Sequence, residues 1–225
     1  MNPTQILVIA KGPSPGRSKT RLCPPCTIAE ASAIAEAALA DTLWTLAGSG
    51  RPVTLVLDGR PGRWLPRGMN VIPQRGRGLD ERLAHAFDDA GGPAILIGMD
   101  TPQVTAEGLH RCVSALEEPG VDAILGAADD GGWWVIGLRF PRHEAFLGVP
   151  MSTPVTGAAQ RARLHRLGMR VATVSSLRDV DRWPDALAVA AAAPGGRFAN
   201  VVRVIEGRVA TRETTAAWTK KEAAV

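Results

Sequence analysis

Apolar positions along this chain fall into two alternating kinds of segment: short unbroken runs and longer stretches with helical spacing. Residues 6–10 (Ile-Leu-Val-Ile-Ala), 53–57 and 94–98 are apolar runs with breakers or polar residues at their ends, the mark of buried strands. Between the first two, Thr27 and Glu30 have capping-box spacing, and Ile34, Ala38, Leu39, Leu43 and Leu46 trace one buried stripe up to Gly48. The same reading predicts a short strand over 70–72 and a helix over 79–90 with Leu83, Ala86 and Phe87 on one face. It also predicts a helix capped by Thr105 running to Leu116, then strands at 123–125 and 133–138. Only residues 126–132 separate these last two strands, too few for a helical crossover, so they pair antiparallel or sit offset in a mixed sheet.

Further on, Thr153 with Pro154 at the first helical position predicts a helix ending near Gly168. Residues 171–174 form the last main strand, and Pro184 opens an alanine-rich helix. After Pro194-Gly195-Gly196, residues 201–205, the pair Glu206-Gly207 and residues 208–210 read as a small hairpin followed by a flexible polar tail. The expectation is one α/β domain over residues 1–194, with a C-terminal hairpin and tail over 195–225. Such a hairpin would offer an edge strand to a second copy, so a homodimer is one expected partner state.

Composition narrows the class. With 225 residues, 45% hydrophobic and 21% charged, the chain is an ordinary globular protein with room for a full core. The net charge of +4 comes from scattered arginines without interleaved aromatics, which argues against nucleic acid as a partner. No apolar run approaches the roughly 20 residues of a membrane span, and the N-terminus lacks the pattern of a secretory signal, so a cytoplasmic location is expected. Three cysteines argue against a disulfide framework; Cys23-Pro24-Pro25-Cys26 has redox spacing but reads better as a helix-entry turn.

Candidate chemistry begins where the first strand ends. Residues 11–21 (Lys-Gly-Pro-Ser-Pro-Gly-Arg-Ser-Lys-Thr-Arg) form a Gly/Pro loop carrying Lys11, Arg17, Lys19 and Arg21, with Gly16 at its bend. The chain has only four lysines, and two of them are here, where a compact, mobile charge suits a phosphate. A loop of this kind at the carboxyl end of a first strand is where α/β folds bind phosphorylated ligands. Asp100, just past the strand at 94–98, faces the same crevice and can hold Mg²⁺ together with substrate phosphates; alternatively it starts an Asp-Thr-Pro turn. Asp179 and Asp181 alternate onto one side of an extended segment, where their repulsion calls for a cation or solvent; alternatively Asp181 caps the following helix. Asp129-Asp130-Gly131-Gly132-Trp133-Trp134 is either a tight turn or a place where a carboxylate and a ring approach an acceptor hydroxyl. Gly76 and Gly78 precede a helix whose N-terminus can receive an anion, with Arg82 one turn in. The four histidines, His85, His110, His143 and His165, show no ligand spacing and read as surface residues.

In chain order these blocks resemble a bacterial family of GT-A-like transferases, labelled arsenosugar-biosynthesis glycosyltransferase-like, across about residues 5–190. The matching motifs are the loop from Lys11, Gly78-Leu-Asp-Glu-Arg, Ile97-Gly-Met-Asp-Thr-Pro, Asp129-Asp-Gly-Gly-Trp-Trp-Val-Ile-Gly-Leu and Asp179-Val-Asp-Arg-Trp-Pro-Asp. Phospholactate guanylyltransferases are a more distant relative. The resemblance implies a Rossmann-like nucleotide-diphospho-sugar transferase sandwich with a mixed, mostly parallel sheet. It implies that Lys11, Gly16, Arg17, Lys19, Arg21, Gly78 and Arg82 hold phosphates, with Lys19 also catalytic. Asp100, Asp179 and Asp181 would hold Mg²⁺ or Mn²⁺, Asp130 would be catalytic, and Asp129 and Trp134 would line the acceptor side. Cys23 and Cys26, Asp129 in place of a more usual Glu, and Trp133-Trp134 in place of a Tyr-rich pair depart from the family pattern.

Three functions follow as expectations. The first is glycosyl transfer from a nucleotide sugar to a small-molecule acceptor. The second is nucleotidyl transfer from a nucleoside triphosphate to a phosphorylated acceptor, and the third is nucleotide binding without catalysis.

Overall fold

Seven strands form one sheet: β1 (Gln5–Lys11), β2 (Val53–Asp58), β3 (Asn70–Pro73), β4 (Ala94–Gly98), β5 (Ala123–Ala128), β6 (Trp133–Leu138) and β7 (Val171–Leu177). The computed structural model describes residues 3–222, with side chains described through residue 215. The strand order is β3-β2-β1-β4-β6-β5-β7. Among the described residues β6 alone runs against its neighbours, pairing antiparallel with both β4 and β5, while every other pairing is parallel. The short 126–132 connection dictates that reversal.

Strand periodicity then divides the core. Ile6, Val8 and Ala10 point to one face of the sheet with Leu55, Ile95, Ile97 and Ile124, where α1 (Ile28–Ala47) and α3 (Ala106–Glu117) cover them. Leu7, Val56, Leu96, Leu125 and Ile136 point to the other face, beneath α2 (Leu79–Ala90) and α4 (Thr156–Arg166). The result is a Rossmann-like three-layer sandwich. The capping box at Thr27 is formed: the Glu30 backbone N–H donates to Thr27 Oγ1, and the Thr27 N–H donates to the Glu30 carboxylate. Thr105 likewise caps α3 by accepting from the Gly108 N–H.

Three expectations are corrected. The segment expected as a hairpin is instead one helix, α6 (Arg197–Glu222), which follows α5 (Trp183–Ala192). Phe198, Val202, Ile205 and Val209 recur at intervals of four, three and four residues and are all buried against Ala31, Ile34, Ala37 and Ala38 of α1. Burial of four such side chains, at about 1.5–3 kcal/mol each, outweighs the penalty of about 1 kcal/mol for Gly207 in mid-helix. With no strand there, the edge-strand route to a homodimer is gone; residues 223–225 lie outside the described ones. Second, α4 starts at Thr156 rather than at Pro154. Ser152 takes a left-handed φ of 58°, and Thr156 Oγ1 accepts from the Thr153 N–H and donates to the Pro150 carbonyl, closing a turn first. Third, Asp181 does not cap α5; the Asp185 carboxylate accepts from the Arg182 N–H instead. No described helix is long and apolar enough to cross a membrane.

Candidate active site

The sheet reverses direction of growth at β1: the chain first adds β2 and β3 on one side, then crosses to β4 on the other. An α/β sheet opens a crevice at the carboxyl ends of its strands at such a point. Here a cleft of about 630 Å³ is lined by Lys11 at the end of β1, Asp100 just past β4 and Ala128 at the end of β5. Because β6 is antiparallel, its first residues, Trp133 and Trp134, arrive at this same edge.

One wall is the loop 11–21. Lys11, Arg17 and Arg21 are exposed and line the cleft together with Arg77 and Arg82. Lys19 differs. It holds a left-handed φ of 52°, its side chain is 10% exposed, and its ammonium contacts Asp100 Oδ1 at 2.9 Å and donates to the Val180 carbonyl. It thus lines the cleft as the counter-ion of Asp100. Arg82 is also committed, donating to the Asp58 carboxylate, the Gln74 side-chain oxygen and the Gly76 carbonyl. Gln74 in turn donates to the carbonyls of Ala10 and Val56, so Arg82 and Gln74 fix the strand ends beneath the cleft.

The cleft also carries acids. Asp100, Asp130 and Asp179 all line the cleft. Asp100 Oδ1 is buried and makes no aligned hydrogen bond, its charge met only by Lys19. The Asp179 carboxyl is pushed up to about 6 by burial first, then by the charge of Asp130, with Asp100 adding and Lys19 opposing. Three acids with one committed lysine between them leave an excess of negative charge.

The other expected site residues divide between the cleft and its surroundings. Asp181 lines the cleft rim but pairs with Arg21 at 3.1 Å, because buried Val180 anchors the segment and turns its two acids to different partners. The Val180 N–H donates to the Asp100 carbonyl, which clips the late segment onto the end of β4. Asp129 faces away from the cleft and pairs with Arg178 at 3.1 Å. Gly16 and Gly78 shape turns but do not line the cleft, and Gly78 N-caps α2 without a side-chain bond. Trp134 does line it, with its ring buried and its indole N–H donating to the Ser175 carbonyl.

Thr101, Met151, Ser152, Thr153 and Thr156, which the sequence did not mark as site residues, also line the cleft wall, as does Trp133 beside Trp134. Thr101 Oγ1 and Trp133 Nε1 are buried without a hydrogen-bond partner, which costs free energy unless a ligand or solvent supplies one. The wall is held by glycines. The Gly157 N–H donates to the Gly131 carbonyl, and a Cβ on Gly131, whose φ is 88°, would stand 2.1 Å from the Pro154 carbonyl oxygen. The Cys23/Cys26 pair is unbridged, and burial pushes the Cys26 thiol up to about 11, so at neutral pH it is not a nucleophile.

Comparison with solved structures agrees with this architecture. A "putative nucleotide-diphospho-sugar transferase" from Desulfovibrio desulfuricans G20 superposes with a TM-score of 0.83 at 23% identity, covering 94% of this chain and 98% of that one. A CMP:2-keto-3-deoxy-manno-octonic acid synthetase complexed with CTP gives 0.54 at 13% identity, covering 86% and 99%. The 2-C-methyl-D-erythritol 4-phosphate cytidylyltransferase of Thermus thermophilus gives 0.52 at 17%, covering 85% and 99%. The fold is that of the nucleotide-diphospho-sugar transferases. A curated relative, 2-C-methyl-D-erythritol 2,4-cyclodiphosphate synthase of Alkalilimnicola ehrlichii (strain ATCC BAA-1101 / DSM 17681 / MLHE-1), is 32% identical over 102 residues, which make up 45% of this chain. The chain matches only 57% of that relative's length. The model of a family described as "Uncharacterized protein conserved in bacteria (DUF2064)" matches residues 32–153 of the 225, and the chain belongs to that family.

Proposed function

We propose that this member of the DUF2064 family is a metal-dependent transferase acting from a nucleoside-diphosphate sugar onto a small hydroxyl-bearing acceptor. The observation that carries the reading is the gathering of two opposite charge sets in one cleft: Lys11, Arg17, Arg21 and Arg77 together with Asp100, Asp130 and Asp179. The fold shared with the Desulfovibrio protein supports the same reading.

The acids suit a hard dication. All three present oxygen donors, Asp100 has a buried oxygen without an aligned hydrogen bond, and Asp179 forms no ion pair among the described residues, with Lys19 only partly offsetting its neighbours' charge. Asp100 and Asp179 would hold Mg²⁺ or Mn²⁺, with Lys19 fixing the Asp100 carboxylate. When bound, that ion supplies neutralising charge to the phosphates of the donor. Lys11, Arg17 and Arg77, which line the same cleft, bind the diphosphate and stabilise the charge that builds on it as it leaves. Asp130 orients the acceptor hydroxyl and takes its proton while the acceptor oxygen bonds to the sugar carbon and the bond to the diphosphate breaks. Trp133, Trp134 and Thr101 form the surface against which the acceptor rests.

A second reading, nucleotidyl transfer, draws support from the two cytidylyl-transferring neighbours, one of them bound to CTP. In it the same cations grip a triphosphate, an acceptor phosphate attacks the α-phosphorus, and pyrophosphate leaves.

Thermal shift with UDP-, GDP- and dTDP-sugars against GTP, CTP and UTP, with and without Mg²⁺ or Mn²⁺, separates the two. A metal-dependent shift with nucleotide sugars is the expected result. A shift confined to triphosphates transfers the function to the second reading, and no shift with any nucleotide overturns both.

A further inference from the structure

Ligand-type side chains also gather outside the cleft, on the sheet face covered by α2. His85 and Asp88 are three residues apart on α2 and therefore share a side of that helix. His143 reaches the same spot from the 3₁₀ turn His143–Ala145, 55 residues beyond Asp88 in sequence. The His143 Nδ1 lies 2.6 Å from Asp88 Oδ2, and His85 Nδ1 lies 3.8 Å from the same oxygen. The two imidazoles meet edge to face with centroids 5.3 Å apart. One ligand atom from each of the three residues lies within 4.8 Å of the other two. None of them lines the cleft.

We propose that His85, Asp88 and His143 bind a transition-metal dication of the Zn²⁺ class, which pins the 3₁₀ turn to α2. The donor set decides the class. Two imidazoles and one carboxylate suit Zn²⁺, Co²⁺ or Ni²⁺, whereas the all-oxygen acids of the cleft suit Mg²⁺ or Mn²⁺. The scaffold is held on both sides of the cluster. Phe87, next to Asp88, stacks on Phe146, three residues past His143, at 5.0 Å. One helical turn or more toward the start of α2, Asp80 accepts from the Gly148 N–H at 3.0 Å. The ligands are preorganised by these packed elements, and each side chain keeps between 33% and 39% exposure, so an ion has a way in and solvent can complete its coordination. On binding, the ion takes the place of any proton shared between His143 Nδ1 and Asp88 Oδ2, and that proton passes to solvent. His85 needs only a side-chain rotation, since its contact to Asp88 is 3.8 Å.

The test is titration of the full chain with Co²⁺, read by visible absorption, and with Zn²⁺, read by thermal shift, in saturating Mg²⁺ so that the cleft acids are occupied. One equivalent of Co²⁺ should develop the intense bands of a four-coordinate ion. Zn²⁺ at about a hundredfold excess over its dissociation constant should raise the Tm by roughly 5 °C. His85→Ala leaves the His143–Asp88 contact in place, so it should fold, yet weaken Zn²⁺ binding at least about tenfold. Asp100→Asn should leave both signals unchanged. Absence of bands and shift in the unmutated chain overturns the proposal. So does their persistence in a His85→Ala/His143→Ala chain, or their loss in Asp100→Asn.

Discussion

Glu30 and Asp179 are both acids withdrawn from bulk water, and the molecule treats them in opposite ways. Glu30 sits in the first turn of α1 with only 7% exposure, yet its carboxyl is held down to about 2. Arg212 of α6 donates to both of its oxygens at 2.9 Å, and the Thr27 backbone and hydroxyl add further bonds, together overcoming the upward push of burial. Asp179 is pushed the other way, to about 6, first by burial and then by neighbours of its own sign, with Lys19 only partly opposing them. A buried charge whose partners are supplied by the chain is part of the scaffold. One whose missing partner is a cation marks a place where the fold stores destabilisation for a ligand to relieve.

Substitution should separate the two kinds of acid. The largest effect expected is on turnover: Asp179→Asn or Asp100→Asn should lower the transferase rate by about 10²–10³-fold, measured under saturating Mn²⁺. The same Asp179→Asn change should raise stability at pH 7, because it removes an unfavourable charge. The gain should be about 2 kcal/mol by denaturant unfolding, after discounting the pKa displacement for partial exposure. Glu30→Ala should do the reverse, costing about 1–2 kcal/mol through loss of the cap and ion pair and leaving turnover unchanged. A Glu30→Ala chain that lost activity at unchanged stability would break the distinction.

The smallest effect is in the pH profile of stability. Asp179 ionises in the unfolded chain near its ordinary 3.8 and in the folded chain near 6, so the folded state binds the extra proton between those values. Its penalty is full above about pH 6 and fades as pH falls toward 4. Glu30 works in the other direction: its contribution is full above its ordinary 4.5 and is lost as pH falls toward 2. Unfolding free energy should therefore rise by about 1 kcal/mol from pH 7 to about 4.5 and drop below that. In Asp179→Asn the rise should be absent and the drop retained.

Much of this was legible in the residues. Strand runs and caps set by local chemistry came through, since an apolar run or a Thr-x-x-Glu box needs no knowledge of partners. Asp100 was legible for the same reason, as an acid at the end of a buried strand. What failed depended on contacts distant in sequence. The stripe Phe198, Val202, Ile205 and Val209 becomes a helix face only against the small residues of α1, and without that surface β-branched residues around Gly207 resemble a hairpin. Adjacent acids cannot be ranked from spacing: Arg178 pairs with Asp129 outside the cleft and Arg21 pairs with Asp181 at its lining, while Asp130 and Asp179 form no ion pair among the described residues. Lys19, a free cation by composition, is tied to Asp100 by a bond across 81 residues that no motif announces. His85 and His143 meet only because the 3₁₀ turn docks on α2.

On the proposed function, the acid cluster receives a cation and a nucleoside diphosphate and is held ready for them at a cost in stability. Thermal unfolding of the unmutated chain and of Asp179→Asn at pH 7.5, each with and without Mn²⁺ plus a nucleoside diphosphate, tests it in one experiment. The account predicts that Asp179→Asn begins with the higher Tm and gains little from the ligands, while the unmutated chain begins lower and rises. An Asp179→Asn chain that melts below the unmutated one, or that responds to Mn²⁺ and nucleotide equally, would contradict it.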